Sequence, residues 1–386
     1  ETDVLTINGS QFNYIAFGTS SIMIGDTTTG TIDAADGNTG LGVDVFAALT
    51  SGDNNTAIGK GTMGANTTGV NNTAVGQAAL DANTTGINNV AVGWESLGAN
   101  TDTSYNTALG WRCLEDNTAS DNTGVGAGAL RNNTSGTNVG VGKDALTTNT
   151  TGTRNTAVGY NALDAVDTTN DHTAVGYNAL TACTSGGANT AVGTQCADAV
   201  TSGDDNTAMG NLALSAATTV DDNTAIGSGA MRYSTGASNT AVGKSALGAS
   251  SNSGDNNTIV GAGAGISFTS ASNNTCIGKG AGNNQTTGGQ NTFVGENARG
   301  SAVGTEVSIV LGYNTVGQGD YYTTLGSGAG SDRIYNQFSA NASWTRVSDS
   351  RYKEEITNNT DCGLSFINDL RPVTFKFKPL ADIDNT

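Results

Sequence analysis

The chain has 386 residues, enough for two or three ordinary domains, but 55 Gly, 2 Pro and only 13% charged residues do not describe an ordinary globular protein. The formal net charge of −18 and the lack of clustered Lys or Arg in the repeats argue against a nucleic-acid partner. No apolar run approaches the roughly 18 residues of a membrane span, and five widely spaced cysteines without a CxxC pair indicate neither a disulfide framework nor a zinc site.

Residues 1–19 come before the first repeat, and we interpret them as an N-terminal connector. Because the chain begins at Glu1 rather than Met, we expect an attachment region on this side to be missing or processed.

Residues 20–330 contain a repeat of about 17 residues, in which one glycine follows an apolar residue. The clearest copy, residues 155–163, reads Asn-Thr-Ala-Val-Gly-x-x-Ala-Leu. The spacing is 17 in most steps, with a few of 16, one of 18 and a last one of 14. The repeat glycines are Gly25, Gly42, Gly59, Gly76, Gly93, Gly110, Gly126, Gly142, Gly159, Gly176, Gly193, Gly210, Gly227, Gly243, Gly261, Gly278, Gly295, Gly312 and Gly326.

The copies can be compared with one another as an internal alignment. The residue before the glycine is always apolar, as in Ile58 and Val75, which predicts that it points into a core. A small residue such as Ala79 stands three positions after the glycine and is often followed by Leu, as in Leu80. The residue directly after the glycine varies widely, which predicts contact with solvent or with a partner.

Each unit therefore has two short apolar pieces, joined by a glycine corner and a polar loop. Neither piece is long enough for a helix, and the loops are rich in turn formers. A unit this short buries its apolar face only by stacking on identical units. The repeat predicts an all-β solenoid of about nineteen turns, roughly 90 Å long at ~4.8 Å per turn.

Asparagines in register extend the argument for stacking. Asn55, Asn72, Asn89 and Asn106 recur at the repeat spacing, and amides stacked at strand spacing can form a hydrogen-bonded ladder. His172, the only histidine, falls at this position, so we interpret it as one rung rather than as a metal ligand or catalytic group.

The Asn-x-Ala-Val/Ile-Gly-x-x-Ala units resemble the YadA-like β-roll heads of trimeric autotransporter adhesins. The resemblance covers roughly residues 20–330 and implies a homotrimeric β-roll, although the turns are longer than those usual in the family. A thin coil also gains by burying a face against copies of itself. A parallel β-helix and an intertwined triple β-helix remain the alternatives.

The composition changes after about residue 330. Residues 331–347 are interpreted as a connector and residues 348–386 as the start of a separate α+β domain, with helix, loop, helix and strand in order. The motifs Ser-Asp-x-Arg-x-Lys at 348–353 and Leu-Arg-Pro-Val at 370–373 resemble the opening of the intramolecular chaperone domain of phage tail spikes, endosialidases and neck appendages. That family trimerises its fibre and then cuts itself off as a serine peptidase, and its domain is longer than this segment.

The resemblance implies a scissile bond between Val347 and Ser348, with Ser348 as nucleophile and Lys353 as general base. Asp349 and Arg351 would orient the turn. A partly desolvated lysine can act as a base for a serine hydroxyl when its pKa is lowered. The competing interpretation is that Ser348 caps a helix beginning near Asp349.

Aromatic residues give a second set of candidates. Trp94 and Trp111, and likewise Tyr160 and Tyr177, are one repeat apart at the position after the glycine. They are candidates for a platform that binds host-surface glycan, although they can equally stack on one another or pack between protomers. Acidic loop residues fit turn chemistry, and we assign no metal site and no cofactor.

Together these features predict a structural and adhesive fibre: a homotrimeric phage tail-fibre shaft on the virion surface, joined to other virion proteins on its N-terminal side. We expect no action on external substrates, no nucleic-acid partner and no membrane insertion. The alternatives are a bacterial trimeric surface adhesin and, less favoured, a glycan-depolymerase tailspike.

Overall fold

Short strands separated by turns recur along the chain at the spacing of the glycine repeat. The computed structural model describes residues 2–7, 10–17, 20–25, 34–248, 251–328, 330, 332–338 and 345–346. These residues contain no helix, and therefore none long and apolar enough to cross a membrane. The strands are β1 (Thr2–Ile7), β2 (Ser10–Phe17), β3 (Ser21–Gly25), β4 (Thr39–Gly42), β5 (Thr56–Ile58), β6 (Thr73–Val75), β7 (Val90–Val92), β8 (Thr107–Leu109), β9 (Thr123–Val125), β10 (Val139–Val141), β11 (Thr156–Val158), β12 (Thr173–Val175), β13 (Thr190–Val192), β14 (Thr207–Met209), β15 (Thr224–Ile226), β16 (Thr240–Val242), β17 (Thr258–Val260), β18 (Thr275–Ile277), β19 (Thr292–Val294), β20 (Ile309–Leu311), β21 (Tyr322–Gly326), β22 (Arg333–Gln337) and β23 (Thr345–Arg346).

Strands β3 to β21 form one parallel ladder, in which each strand pairs with the equivalent strand of the next turn. The stretch from β4 to β21 spans about seventeen turns. Antiparallel strands flank the ladder, with β1 and β2 leading into β3, and β22 and β23 following β21. The predicted all-β solenoid is confirmed. Because neighbouring strands belong to the same chain, the ladder is not that of an intertwined triple β-helix.

The glycine after each strand forms a corner that no other residue fits. Gly159 has φ +140°, a conformation that glycine adopts readily and other residues rarely do. A Cβ atom placed there would lie 2.2 Å from the carbonyl oxygen of Gly176, the equivalent glycine one turn later. Backbone conformation and close stacking therefore both require glycine at this corner.

The segment that follows each corner, the second apolar piece of the repeat, forms a turn. Alternate residues have positive φ, 51° at Asn161 and 53° at Leu163. The Asn161 N–H therefore donates to the Lys143 carbonyl in the preceding turn at 3.1 Å, whereas the Leu163 N–H donates to the Ala179 carbonyl in the following turn at 3.1 Å. Each turn is thus fastened to both neighbours on this side of the coil.

The interior is a narrow column of small and medium side chains. Ala157, the middle residue of β11, is completely buried, as are Ala162 and Leu163 after the corner. The same three positions are buried in most turns, so Ala and Leu line the interior. Only one of the three strand residues reaches this interior, because successive strand residues point to opposite sides.

Core positions compensate for one another where the repeat departs from this pattern. Phe293 replaces the inward Ala of β19, and Gly282 replaces the Leu of the turn before it. A Cβ atom at Gly282 would lie 3.3 Å from Cδ2 of Phe293 and 2.7 Å from Sγ of Cys276. The missing leucine therefore leaves the space that the larger side chains fill, as close packing demands.

The predicted asparagine ladder is present and lies inside the coil. The backbone N–H of Asn72 donates to Oδ1 of Asn55 at 2.9 Å, and the Nδ2 of Asn72 donates to the Gly86 carbonyl at 2.8 Å. Asn55, Asn72 and Gly86 each lie in the loop that precedes the strand of their own turn. Both asparagines are fully buried. Each rung thereby satisfies buried backbone groups of two adjacent turns.

A second buried amide ladder, which the sequence reasoning missed, runs through the loops. Nδ2 of Asn83 donates to Oδ1 of Asn66 at 2.9 Å, and Nδ2 of Asn100 donates to Oδ1 of Asn83 at 3.0 Å. The ladder ends where Val166 takes the next position, so that Oδ1 of Asn149 is buried without a hydrogen-bond partner among the described residues. The amide-to-amide bonds run in two stretches, through Asn66, Asn83 and Asn100 and then through Asn117, Asn133 and Asn149.

Candidate interaction surface

The outward face of the ladder is aliphatic. The residue before each corner glycine, predicted to point into the core, points outward instead, so that prediction is wrong. In β11 the inward position belongs to Ala157, and Thr156 and Val158 flank it on the outer face. Equivalent aliphatic residues are well exposed, with Leu41 at 48% and Met209 at 42%. The physical reason is that a three-residue strand offers a single inward side chain.

This outer face carries no charge. None of the strands from β4 to β21 contains a charged residue. The parallel register places Thr above Thr and an aliphatic residue above an aliphatic residue in successive turns, as between β11 and β12. The result is an uninterrupted aliphatic column beside a threonine column. Contiguous exposed apolar surface of this kind is characteristic of interaction sites, whose centres are depleted in charge.

The predicted aromatic residues stack in pairs at the border of this face. The Trp94 and Trp111 ring centroids are 5.8 Å apart with an interplanar angle of 21°, and those of Tyr160 and Tyr177 are 5.5 Å apart at 11°. Stacking along the axis, one of the two structural interpretations, is therefore confirmed. Stacked rings cover each other's faces, so a sugar could only use the outer face of an end ring.

Cations flank both aromatic pairs. The Arg112 guanidinium carbon lies 4.6 Å from the Trp94 centroid and 5.1 Å from that of Trp111, and it also pairs with Glu95 at 2.9 Å. The Lys143 ammonium lies 5.2 Å from the Tyr160 centroid. Such cation–π contacts hold the rings in place and make the border basic and aromatic.

His172 is a rung of the first amide ladder, as expected. Its backbone N–H donates to Oδ1 of Asn155 at 3.0 Å, and its Nδ1 accepts the backbone N–H of Asn189 at 3.3 Å. The remaining proton is therefore on Nε2, which donates to Oγ1 of Thr169 at 2.9 Å. Burial lowers the pKa of His172 below its usual 6.5, because removal from water disfavours the charged imidazolium form.

This rung predicts acid sensitivity that a substitution should remove. Because the folded chain binds the His172 proton less readily than the unfolded chain, the free energy of unfolding falls as pH drops below about 6.5, by up to ~1.4 kcal/mol per pH unit. We expect His172→Asn, which restores an amide rung, to abolish that loss. Urea unfolding between about pH 7.5 and 5.5, above the range of ordinary carboxylates, measures it. Equal pH slopes for parent and variant would contradict the assignment.

The cysteines of the described residues are buried thiols without disulfide bonds. Burial raises the pKa of Cys113 to about 12 and that of Cys183 to about 11, which leaves them unreactive as thiolates near neutral pH. No group of three or more His, Cys, Asp or Glu in the described part of the chain is placed to hold a metal ion.

The predicted self-cleavage residues lie outside the described residues. Val347, Ser348, Asp349, Arg351 and Lys353 all belong to the undescribed segment 347–386, so their roles stay predictions. No family model and no curated protein matches the chain.

Proposed function

We propose that this chain is the shaft of a homotrimeric extracellular fibre, a phage tail fibre on the virion surface that supports attachment to a host. The observation that carries the proposal is the uncharged aliphatic face, which runs along every turn from β4 to β21. A solenoid with such a narrow interior gains further burial by covering this face.

The fitting partner is a second copy of the same chain. The aliphatic residues recur once per turn, at the ~4.8 Å spacing of the strand ladder. A partner that matches this spacing along about seventeen turns must have the same repeat, as a copy does. Rotational symmetry about the long axis closes such a contact, and three copies fit the resemblance to trimeric fibre heads.

Placing charge on the aliphatic face should dissociate the assembly without unfolding the coil. Met209 and Ile226 are 42% and 36% exposed, so lysine at both positions stays solvated in a lone chain. We expect Met209→Lys with Ile226→Lys to shift the sedimenting species from trimer to monomer and to keep the circular dichroism of the parent. Lysine at Thr168, an exposed loop residue off this face, is the matched control and should leave the trimer intact. A trimeric double variant would contradict the proposed interface.

The C-terminal segment supports the viral rather than the bacterial assignment through its chaperone-like motifs. We propose that it trimerises the fibre and releases itself at Val347–Ser348. For a chain expressed with its complete natural C-terminus, the intact mass should lack everything after Val347. Ser348→Ala should keep the full mass, because the nucleophile is gone. An unbroken parent chain would contradict self-release and favour the bacterial surface adhesin.

A glycan contact at the aromatic border is a secondary hypothesis. Trp111 is 48% and Tyr177 51% exposed, and each is followed in its column by a small residue, Ala127 or Thr194. The last ring of each stack therefore offers an outer face to a sugar. Glycan-array binding that survives Trp111→Ala and Tyr177→Ala together would exclude this site.

A further inference from the structure

The uncharged face has two different borders. Because the strands stack in parallel register, the residues before each strand line one border and the residues after each corner glycine line the other. The two borders are separated by about six residues of chain, which span roughly 20 Å when extended. We call the residue after each corner glycine, at each turn, the corner strip. We call the two residues before each rung of the first amide ladder the loop strip.

The corner strip is basic and aromatic. It holds every lysine of residues 34–338, and all four are exposed. Lys143 and Lys279 pair with the partly exposed carboxylates of Asp144 and Glu296, the second of which is itself a corner-strip residue, and Lys244 forms no ion pair among the described residues. The strip also contains the stacked tryptophans and tyrosines. Its lysines are Lys60, Lys143, Lys244 and Lys279.

The loop strip is acidic. Its carboxylates extend along the ladder, and its single basic residue, Arg154, pairs with Asp171 at 2.6 Å. One carboxylate often accepts the backbone N–H of the turn before it, as Asp221 Oδ1 does from Asp204 at 2.9 Å, which fixes its position on the border. The acidic members are Asp36, Asp53, Asp121, Asp171, Asp204, Asp205, Asp221, Asp222, Asp255, Glu306 and Asp320.

Opposite borders select one relative orientation of the copies. Rotation about the long axis keeps the chains parallel and brings the corner strip of one copy to the loop strip of the next. An antiparallel pair would instead bring loop strip against loop strip, with acid facing acid. Complementary charge favours the first arrangement and suppresses the second.

The positions of the lysines also indicate a register. Lys143 follows β10 and Asp121 precedes β9, Lys244 follows β16 and Asp222 precedes β15. Lys279 follows β18 and Asp255 precedes β17 in the same way, and Lys60 stands one turn after Asp36. An offset of one turn, ~4.8 Å, is within the reach of a lysine side chain. If equivalent turns of the two chains were level, only Lys60 would lie opposite a loop-strip carboxylate, that of Asp53.

We infer that in the proposed trimer, on which this inference rests, the corner strip of each chain contacts the loop strip of its neighbour in parallel orientation and one turn out of register. The contacts are exposed ion pairs, individually weak, which sum over three equivalent interfaces and set orientation and register. The aliphatic face supplies the burial between the two borders.

A charge-exchange cycle on the full-length chain tests this contact. We expect Lys244→Glu alone, or Asp221→Lys with Asp222→Lys alone, to weaken assembly by about tenfold in sedimentation experiments at low salt. The three substitutions together should restore assembly to near the parent level. Arg232→Glu, which makes the same charge change outside both strips, is the control and should have no effect.

The outcomes separate this inference from the proposed function. If the parent chain is trimeric but the variant with all three substitutions assembles more weakly than either partial variant, the contact between corner strip and loop strip is wrong. The proposed trimeric fibre is then unaffected. If the parent chain is monomeric at every concentration, both the proposed trimer and the contact between the two strips are wrong. If the trimer is too stable to dissociate, cross-linking replaces sedimentation. Unlabelled and ¹⁵N-labelled chains are assembled together, so that a link between two chains can be told from a link within one. A carbodiimide then joins lysines to carboxylates that are in contact. Interchain linkage of Lys244 to Asp221 or Asp222 is expected, and its absence overturns the register.

Discussion

Replacing Gly159 with Ala should open the solenoid at the turns of β11 and β12, at a local cost of about 3 kcal/mol or more. The Cβ atom would lie 2.2 Å from the Gly176 carbonyl oxygen, in a backbone conformation of φ +140° that alanine rarely adopts. Neither a rotamer change nor a flexible neighbour can relieve the clash, because the contacted atom is backbone. Hydrogen–deuterium exchange of peptides covering the two strands should accelerate by about a hundredfold.

Gly61→Ala is the matched control for this substitution. Gly61 also has positive φ, +70°, but a Cβ there meets no atom within 4 Å. Ala78 and Asn161 occupy its position in other turns at φ 53° and 51°. We expect a cost below about 1 kcal/mol. Similar exchange in both variants would show that close stacking does not dictate the corner glycine.

Phe293→Ala should cost about 3–5 kcal/mol, because it empties the centre of a narrow core. Phe293 is completely buried, and the glycine at position 282 leaves no neighbouring leucine to fill the cavity. Exchange protection around β19 and the adjoining strands measures the loss. Effects should decline away from the site, since solenoid turns interact mainly with nearest neighbours.

The control for Phe293 is Tyr313→Ala, which removes a ring of similar size that is 59% exposed. This change should cost less than about 1 kcal/mol. If the two variants lose equal protection, Phe293 does not occupy the core position that its neighbours indicate.

The regular features of the fold could be predicted from the sequence because each repeats some nineteen times. The glycine period predicted the ladder, and the in-register Asn predicted its rungs. The second amide ladder was missed although Asn66, Asn83 and Asn100 also recur at a spacing of 17. Such asparagines in a loop fit ordinary turn chemistry equally well, which masked their buried role.

The orientation of the strand was predicted wrongly because two of its three residues are apolar. Constant apolar character at Ile58 and Val75 was interpreted as burial. The better signal was size: from β5 to β16 the inward position holds only Ala or Gly, whereas Ile, Val, Leu and Met exchange at the outward one. A close-packed interior restricts volume, and a face at the surface of the chain does not.

The candidate interaction surface could be predicted only in part. The sequence placed the aromatic residues one turn apart at a variable, outward position. It did not show that lysines and aromatics share one border while carboxylates occupy the other, because that separation follows from the direction of the strands between them.

We propose that this solenoid covers its aliphatic face with two further copies of itself. Sedimentation equilibrium of the full chain tests it most directly, with denaturing mass spectrometry of the same sample giving the length of the chain present. We expect three times the mass of one chain, which is 38.6 kDa when uncleaved. A single chain mass at every accessible concentration would contradict it.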